Sequence, residues 1–225
     1  MDNVLTQRRL GFLVGFLAYI AALWFLWDTR ILYPLKIFVV FLHELSHGIA
    51  AILGGGSIQR IEISPNQGGV CHCGGGIRFL TLTAGYLGSL LWGVAMLLVV
   101  GAKRIWHLVS LAGLGALVVT VSLLYVRSGF GLTFGLMFGL ALIGVAKYLP
   151  SEIQTMTLTV LGLTSCLYAV WDIKSDILDR PGIRSDASML AELTGVPTVL
   201  WGLLWTGVAI VVCWWLLRHT FKNAM

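Results

Sequence analysis

Apolar residues along this chain come in long runs separated by short polar connections, the rhythm of helices that cross a bilayer. Runs of about 17 to 25 residues with few or no charges fall at Gly11–Trp27, Ile31–Leu53, Phe79–Gly101, Ile105–Val126, Ser128–Ala146, Ile153–Trp171 and Leu193–Leu217. The pattern predicts an all-α polytopic membrane protein of about seven transmembrane helices. Two stretches depart from it. Residues 54–78 begin with three glycines, alternate through Ser57–Ile63, turn at Pro65-Asn66-Gln67-Gly68-Gly69 and return through Val70–Cys73, which predicts a β-hairpin after the second span. Residues 174–192 are polar, contain Pro181-Gly182 and read as a loop.

Composition strengthens the membrane reading. Of 225 residues 58% are hydrophobic and 11% charged, with a mean hydropathy of +0.90, so a water-soluble fold is excluded and a single membrane-embedded domain over 1–225 is expected. The Met1–Arg9 segment leads into the first run without a small-residue cleavage site, as for a retained helix. A net charge of +5 invites a nucleic-acid reading. The basic residues are scattered through connections instead, so no nucleic-acid partner is expected, and their slight excess on the side of the N-terminus puts the hairpin and the polar loop on the cytoplasmic face. Cys71, Cys73, Cys166 and Cys213 form no disulfide framework by spacing. Gly131, Gly135 and Gly139 recur every fourth residue and mark a close helix crossing.

Chemistry concentrates in the second run, at His43-Glu44-Leu45-Ser46-His47. Residues i and i+4 share a helical face, so both imidazoles can reach one ion, and Glu44 beside them can take a proton from an attacking water. Three ionisable groups inside an apolar span are costly unless they pair with one another or bind something. A catalytic zinc site usually has three protein ligands. Asp172, at the end of the sixth run, is chosen as the third because four connections separate the two runs and both helices then end on the same face. Asp176 and Asp186 remain the alternatives.

With these residues in place, the chain resembles the site-2 protease family of intramembrane zinc metallopeptidases, and within it the short bacterial branch without a PDZ domain. The resemblance rests on His43-Glu44-x-x-His47-Gly48, the glycine-rich hairpin, the Leu80–Ser89 opening of the third span and a late span ending in aspartate. It implies a membrane-embedded Zn²⁺ held by His43, His47 and Asp172, with Glu44 as the catalytic group. It also implies membrane-protein or peptide substrates cut within or near their transmembrane segments, in the lipid bilayer of a bacterial inner membrane. Better-studied members have Leu-Asp-Gly at the third ligand and Gly-Pro after the hairpin; here Ile173 follows Asp172 and Tyr86 follows Gly85. The competing reading is a non-catalytic or metal-handling membrane protein using the same histidines. The hairpin is expected either to offer an edge strand to an unwound substrate or to cap the cavity. His107 and His219 are expected to pack or lie at an interface, His72 to bind no metal, and Trp201, Trp205, Trp214 and Trp215 to anchor at the membrane surface. Substrate identity and oligomeric state are left open by the sequence.

Overall fold

The computed structural model describes residues 29–174 and 184–223, together with 14, 15, 18, 19, 21–23, 25 and 26. The expected first span, Gly11–Trp27, lies only partly within them, and its described residues are helical. Seven helices and one hairpin follow in the order α1 (Tyr33–Leu53), β1 (Ser57–Ile63), β2 (Gly69–Gly74), α2 (Arg78–Val100), α3 (Arg104–Tyr125), α4 (Gly129–Tyr148), α5 (Ser151–Lys174), α6 (Asp186–Thr194) and α7 (Thr198–Asn223). All but α6 are long and apolar enough to cross a membrane. The chain is a multi-pass integral membrane protein, and the second to sixth apolar runs coincide with α1 to α5 to within a few residues, whereas the last run is displaced from α7.

The helix α1 is the centre of the bundle. It starts at Tyr33 with Pro34 in its first turn, where a missing N–H costs nothing, and 72% of its most apolar window is enclosed by the rest of the chain, against 22–50% for the other spans. Ile37, Phe38, Phe41, Leu42 and Leu45 form the core with residues of β1, α3, α4 and α5. The other spans turn large apolar side chains such as Leu91, Leu124, Leu140 and Leu203 outward, as expected of helices whose outer faces meet lipid.

The hairpin forms as its alternation predicts. Strands β1 and β2 pair antiparallel from Ser57↔Gly74 to Ile63↔Gly69, with an irregularity between Ile58 and Arg60. Ile61 and Ile63 alternate inward into the core. The outer edge of β1 is occupied: Arg127 N–H donates to the Ile61 carbonyl at 3.0 Å and Ile63 N–H to Ser128 Oγ at 2.9 Å. On β2, Cys71 and Cys73 are joined by a disulfide, a pairing the spacing argument did not anticipate. Residues two apart on a strand share a face.

Part of the expected polar loop is instead helical. Ser185 caps α6 by accepting from the Ser188 N–H at 3.3 Å, and Gly195, at φ +74°, terminates it in a left-handed conformation that favours glycine. Leu193 and Thr194 therefore belong to α6, and the last span starts only after Pro197. Ala187 and Leu190 pack with Leu82, Tyr86, Ile173 and Trp205. Trp205 is thus a core residue at 1% exposure and not a surface anchor, whereas Trp214 and Trp215 face outward. His107 packs between helices, with Nε2 3.1 Å from the Val100 carbonyl and Nδ1 3.2 Å from Thr155 Oγ1. His219, Asp176 and Asp179 carry no described side chain.

Glycines set the helix spacing. A Cβ at Gly115 would lie 2.5 Å from the Gly139 carbonyl oxygen, and one at Gly139 would lie 2.8 Å from that of Gly115, so α3 and α4 cross backbone against backbone. Gly93 and Gly162 do the same for α2 and α5. Gly113, two residues along α3, has open space at its Cβ position. Gly115→Ala should therefore lower the thermal midpoint in detergent, by an overpacking cost of about 1–3 kcal/mol, while Gly113→Ala leaves it unchanged or raises it. Equal midpoints for the two variants would contradict the backbone crossing.

Candidate metal centre and active site

One turn of α1 carries the site. His43 and His47 lie four residues apart with ring centroids separated by 4.8 Å, so both imidazoles leave the helix on one face. A single oxygen meets them both: Asp186 Oδ2 lies 3.1 Å from His43 Nε2 and 3.1 Å from His47 Nε2. His43, His47 and Asp186 are the one group of three such side chains among the described residues whose donor atoms all fall within 4.8 Å of one another.

These separations suit an ion. Ligand atoms about 2.0–2.2 Å from one tetrahedral metal lie roughly 3.3 Å from each other, and two imidazoles with a carboxylate are a donor set suited to zinc. Burial by itself would lift the Asp186 carboxyl, but His47 and His43 outweigh it and hold the group well below the usual carboxylate range. A cation between the three side chains acts in the same direction.

Each member of the group is held from behind. Nδ1 of His47 is 2.7 Å from the Thr81 carbonyl at the start of α2, so Nδ1–H donates to it and Nε2 is the nitrogen turned toward Asp186. The His43 ring stands edge-on to Tyr86 at 5.1 Å, and Tyr86 rests against Trp205 at 4.9 Å. Asp186 is placed by the Ser185 cap and by the apolar docking of α6, in the first turn where a carboxylate is favoured by the helix dipole. Glu44 is buried at 5% exposure and receives a hydrogen bond from the Cys71 backbone. It fits because β2 has glycine opposite it: a Cβ at Gly69 would lie 2.6 Å from Glu44 Oε1.

The carboxylate expected to join the histidines, Asp172, occupies a different position. Its Oδ2 lies 4.0 Å from His43 Nδ1, the nitrogen on the far side of the ring from Asp186. Sequence reasoning kept Asp186 only as an alternative because Pro181-Gly182 separates it from the span. The legible signals were the Ser185 cap, the Ala187/Leu190 spacing and the Gly195 stop, which together make a short amphipathic helix able to dock. Asp176, the other alternative, lies outside the described residues. His72 stands on the hairpin, 3.7 Å from Glu62 Oε1, and is not in the group.

A cavity of about 340 Å³ opens over these side chains, between β2 on one side and α2, α5 and α6 on the other; Gly69, Val70 and Cys71 form part of its wall. Glycine 85 permits the closest approach: a Cβ there would collide with His43 Nε2 and lie 2.7 Å from Asp186 Oδ2. Gly85→Ala should accordingly leave the helical content unchanged and weaken metal binding about tenfold or more, the scale on which displaced support acts. Gly101→Ala at the end of the same helix, with open space around it, is the control. Metal content of the purified chains, read by atomic absorption after dialysis against a graded chelator, checks the difference.

No curated protein and no solved structure matches the chain. A family model does, over residues 16–216, a stretch that includes all three spans of the site, the hairpin and α6. The chain belongs to the Peptidase M50B-like family.

Proposed function

We propose that this protein is an intramembrane zinc metalloendopeptidase of the bacterial inner membrane, hydrolysing peptide bonds within or near the transmembrane segments of membrane proteins. The observation that carries the reading is the meeting of Asp186 Oδ2 with both histidine Nε2 atoms at 3.1 Å, next to a buried glutamate. In this reading His43, His47 and Asp186 hold the zinc and Glu44 is the catalytic base.

When bound, zinc would polarise the scissile carbonyl and lower the pKa of a water in the cavity. The remaining steps belong to the chain. Glu44 accepts the proton of the water as its oxygen bonds to the carbonyl carbon. It then delivers that proton to the amide nitrogen as the carbon–nitrogen bond breaks, releasing a carboxylic acid and an amine. The Cys71 backbone and Gly69 fix the glutamate for both transfers.

The substrate must arrive extended, because a helix hides its peptide bonds in its own ladder. Support for how it is held comes from the hairpin: β1 is paired along its outer edge, while β2 forms part of the cavity wall, so an unwound segment can lie along β2. A substrate span with Gly or Pro near the cut opens more readily.

Cleavage of a quenched-fluorescence peptide carrying one apolar span, co-reconstituted with the protein in lipid vesicles, tests the reading. Glu44→Gln should keep one zinc per chain and cut slower by about 10²–10⁴-fold, the usual contribution of a positioned base. Asp186→Ala should lose both zinc and cleavage. Wild-type rates for Glu44→Gln would sink the catalytic assignment, and full zinc retention by Asp186→Ala would sink the ligand set.

A further inference from the structure

The two histidines of the site use their nitrogens in the same way, and the symmetry gives Asp172 a role. Both Nε2 atoms point to Asp186 Oδ2 at 3.1 Å. Behind His47, Nδ1 meets an acceptor, the Thr81 carbonyl, at 2.7 Å. Behind His43, the atom facing Nδ1 is Asp172 Oδ2 at 4.0 Å. The two nitrogens of an imidazole point away from each other, so a carboxylate on Nδ1 cannot reach an ion held by Nε2 of the same ring. We infer that Asp172 is a positioning residue for His43: its carboxylate accepts the Nδ1–H, fixes the tautomer that presents Nε2 to the metal, and does not ligate the metal itself. The inference rests on the ligand set proposed above.

Its physical basis is the support of a ligating histidine by a second group. Such a histidine donates its other ring N–H to a carboxylate or a carbonyl, which fixes the ring and raises its basicity. Here one histidine has the carbonyl and the other the carboxylate. The observed 4.0 Å is about 1 Å longer than a formed N–H···O bond. Asp172 can close that gap more readily than the ring can. The His43 ring is wedged between His47 and Tyr86, at 4.8 and 5.1 Å, and Gly85 lies against its Nε2. The Asp172 side chain is 21% exposed, against 9% for Asp186, lines the cavity, and stands two residues before the end of α5. Closing the gap requires the Asp172 oxygen to move toward Nδ1 by about 1 Å.

The test compares zinc affinity, by chelator competition in detergent, for Asp172→Ala, Asp172→Asn, Asp172→Glu and Asp186→Ala, with histidine ¹⁵N spectra of the metal-free proteins. Asp172→Ala is expected to bind one zinc per chain about 10–100-fold more weakly than wild type, and its His43 resonances should move away from the Nδ1–H tautomer. Asp172→Asn retains an acceptor oxygen and should recover the tautomer and part of the affinity. A purely structural role would not respond to that oxygen. Unchanged affinity and an unchanged tautomer in Asp172→Ala would overturn the inference and leave the His43, His47 and Asp186 set standing. Complete loss of zinc in Asp172→Ala and Asp172→Asn, with zinc kept by Asp186→Ala, would make Asp172 the ligand and overturn both. If Asp172→Ala fails to fold, Asp172→Asn and Asp172→Glu decide: wild-type affinity in Glu with a weakened Asn supports a charged acceptor, and total loss in both refutes it.

Discussion

The arrangement of this protein follows from the cost of placing two imidazoles and three carboxylates within an apolar helix bundle. None of these groups is tolerated there alone. Each is therefore turned toward the others, and α1, which carries three of them, is enclosed more completely than any other span. That enclosure requires partners on all sides. The hairpin covers Glu44, α2 approaches through Gly85 and Gly88, α5 brings Asp172 behind His43, and α6 brings Asp186 to the front. The bundle is organised about its most polar point, and the large apolar residues of the outer spans are left to face lipid.

Small residues decide how tightly the polar point can be drawn together. Where α2 passes α1, glycine at 85 lies against an imidazole and glycine at 88 against the Ser46 hydroxyl, and the hairpin repeats the device with Gly69 against Glu44. A methyl group at any of these positions enters space that a polar side chain already fills. Elsewhere glycine only sets the distance between helices, as at the Gly115/Gly139 crossing. The carboxylate on α6 is delivered differently, by burying Ala187 and Leu190 under Trp205 and Tyr86. Burial of a leucine-sized side chain contributes about 1.5–3 kcal/mol. That is small beside what holds a whole span.

What the sequence made legible, and what it did not, divides along the same line. Spans show because an uncharged apolar run long enough to cross a bilayer is rare in any chain that does not cross one, and β1 shows because Ser57–Ile63 alternates with period two. His43, Glu44 and His47 show because helical spacing alone places them together. Asp186 shows only as an alternative to Asp172, since its approach depends on α6 folding back onto α2 and α7 through contacts between residues far apart in the chain. Asp172 lies near the histidines for the reason the sequence supplies, the common direction of α1 and α5, but which nitrogen it faces is a matter of ring orientation that no spacing encodes. The Cys71–Cys73 bond rests on the same strand alternation that set His72 apart from a metal site. Trp205 faces inward because α6 docks against it, a contact that its place in an apolar run does not reveal.

The docking of α6 has a thermodynamic side. Two donor atoms of the group come from α1 and the third from a short element with its own modest hold, so an ion held between them would be a cross-link between a strong part of the structure and a weak one. Occupancy would then stabilise the folded chain by mass action, in proportion to the logarithm of free metal over its dissociation constant. The gain is unevenly distributed. The spans would keep their packing without the ion, whereas α6 would lose a polar tether to α1, so the metal-free and metal-loaded proteins should differ in the opening of one small helix over a cavity more than in the stability of the bundle.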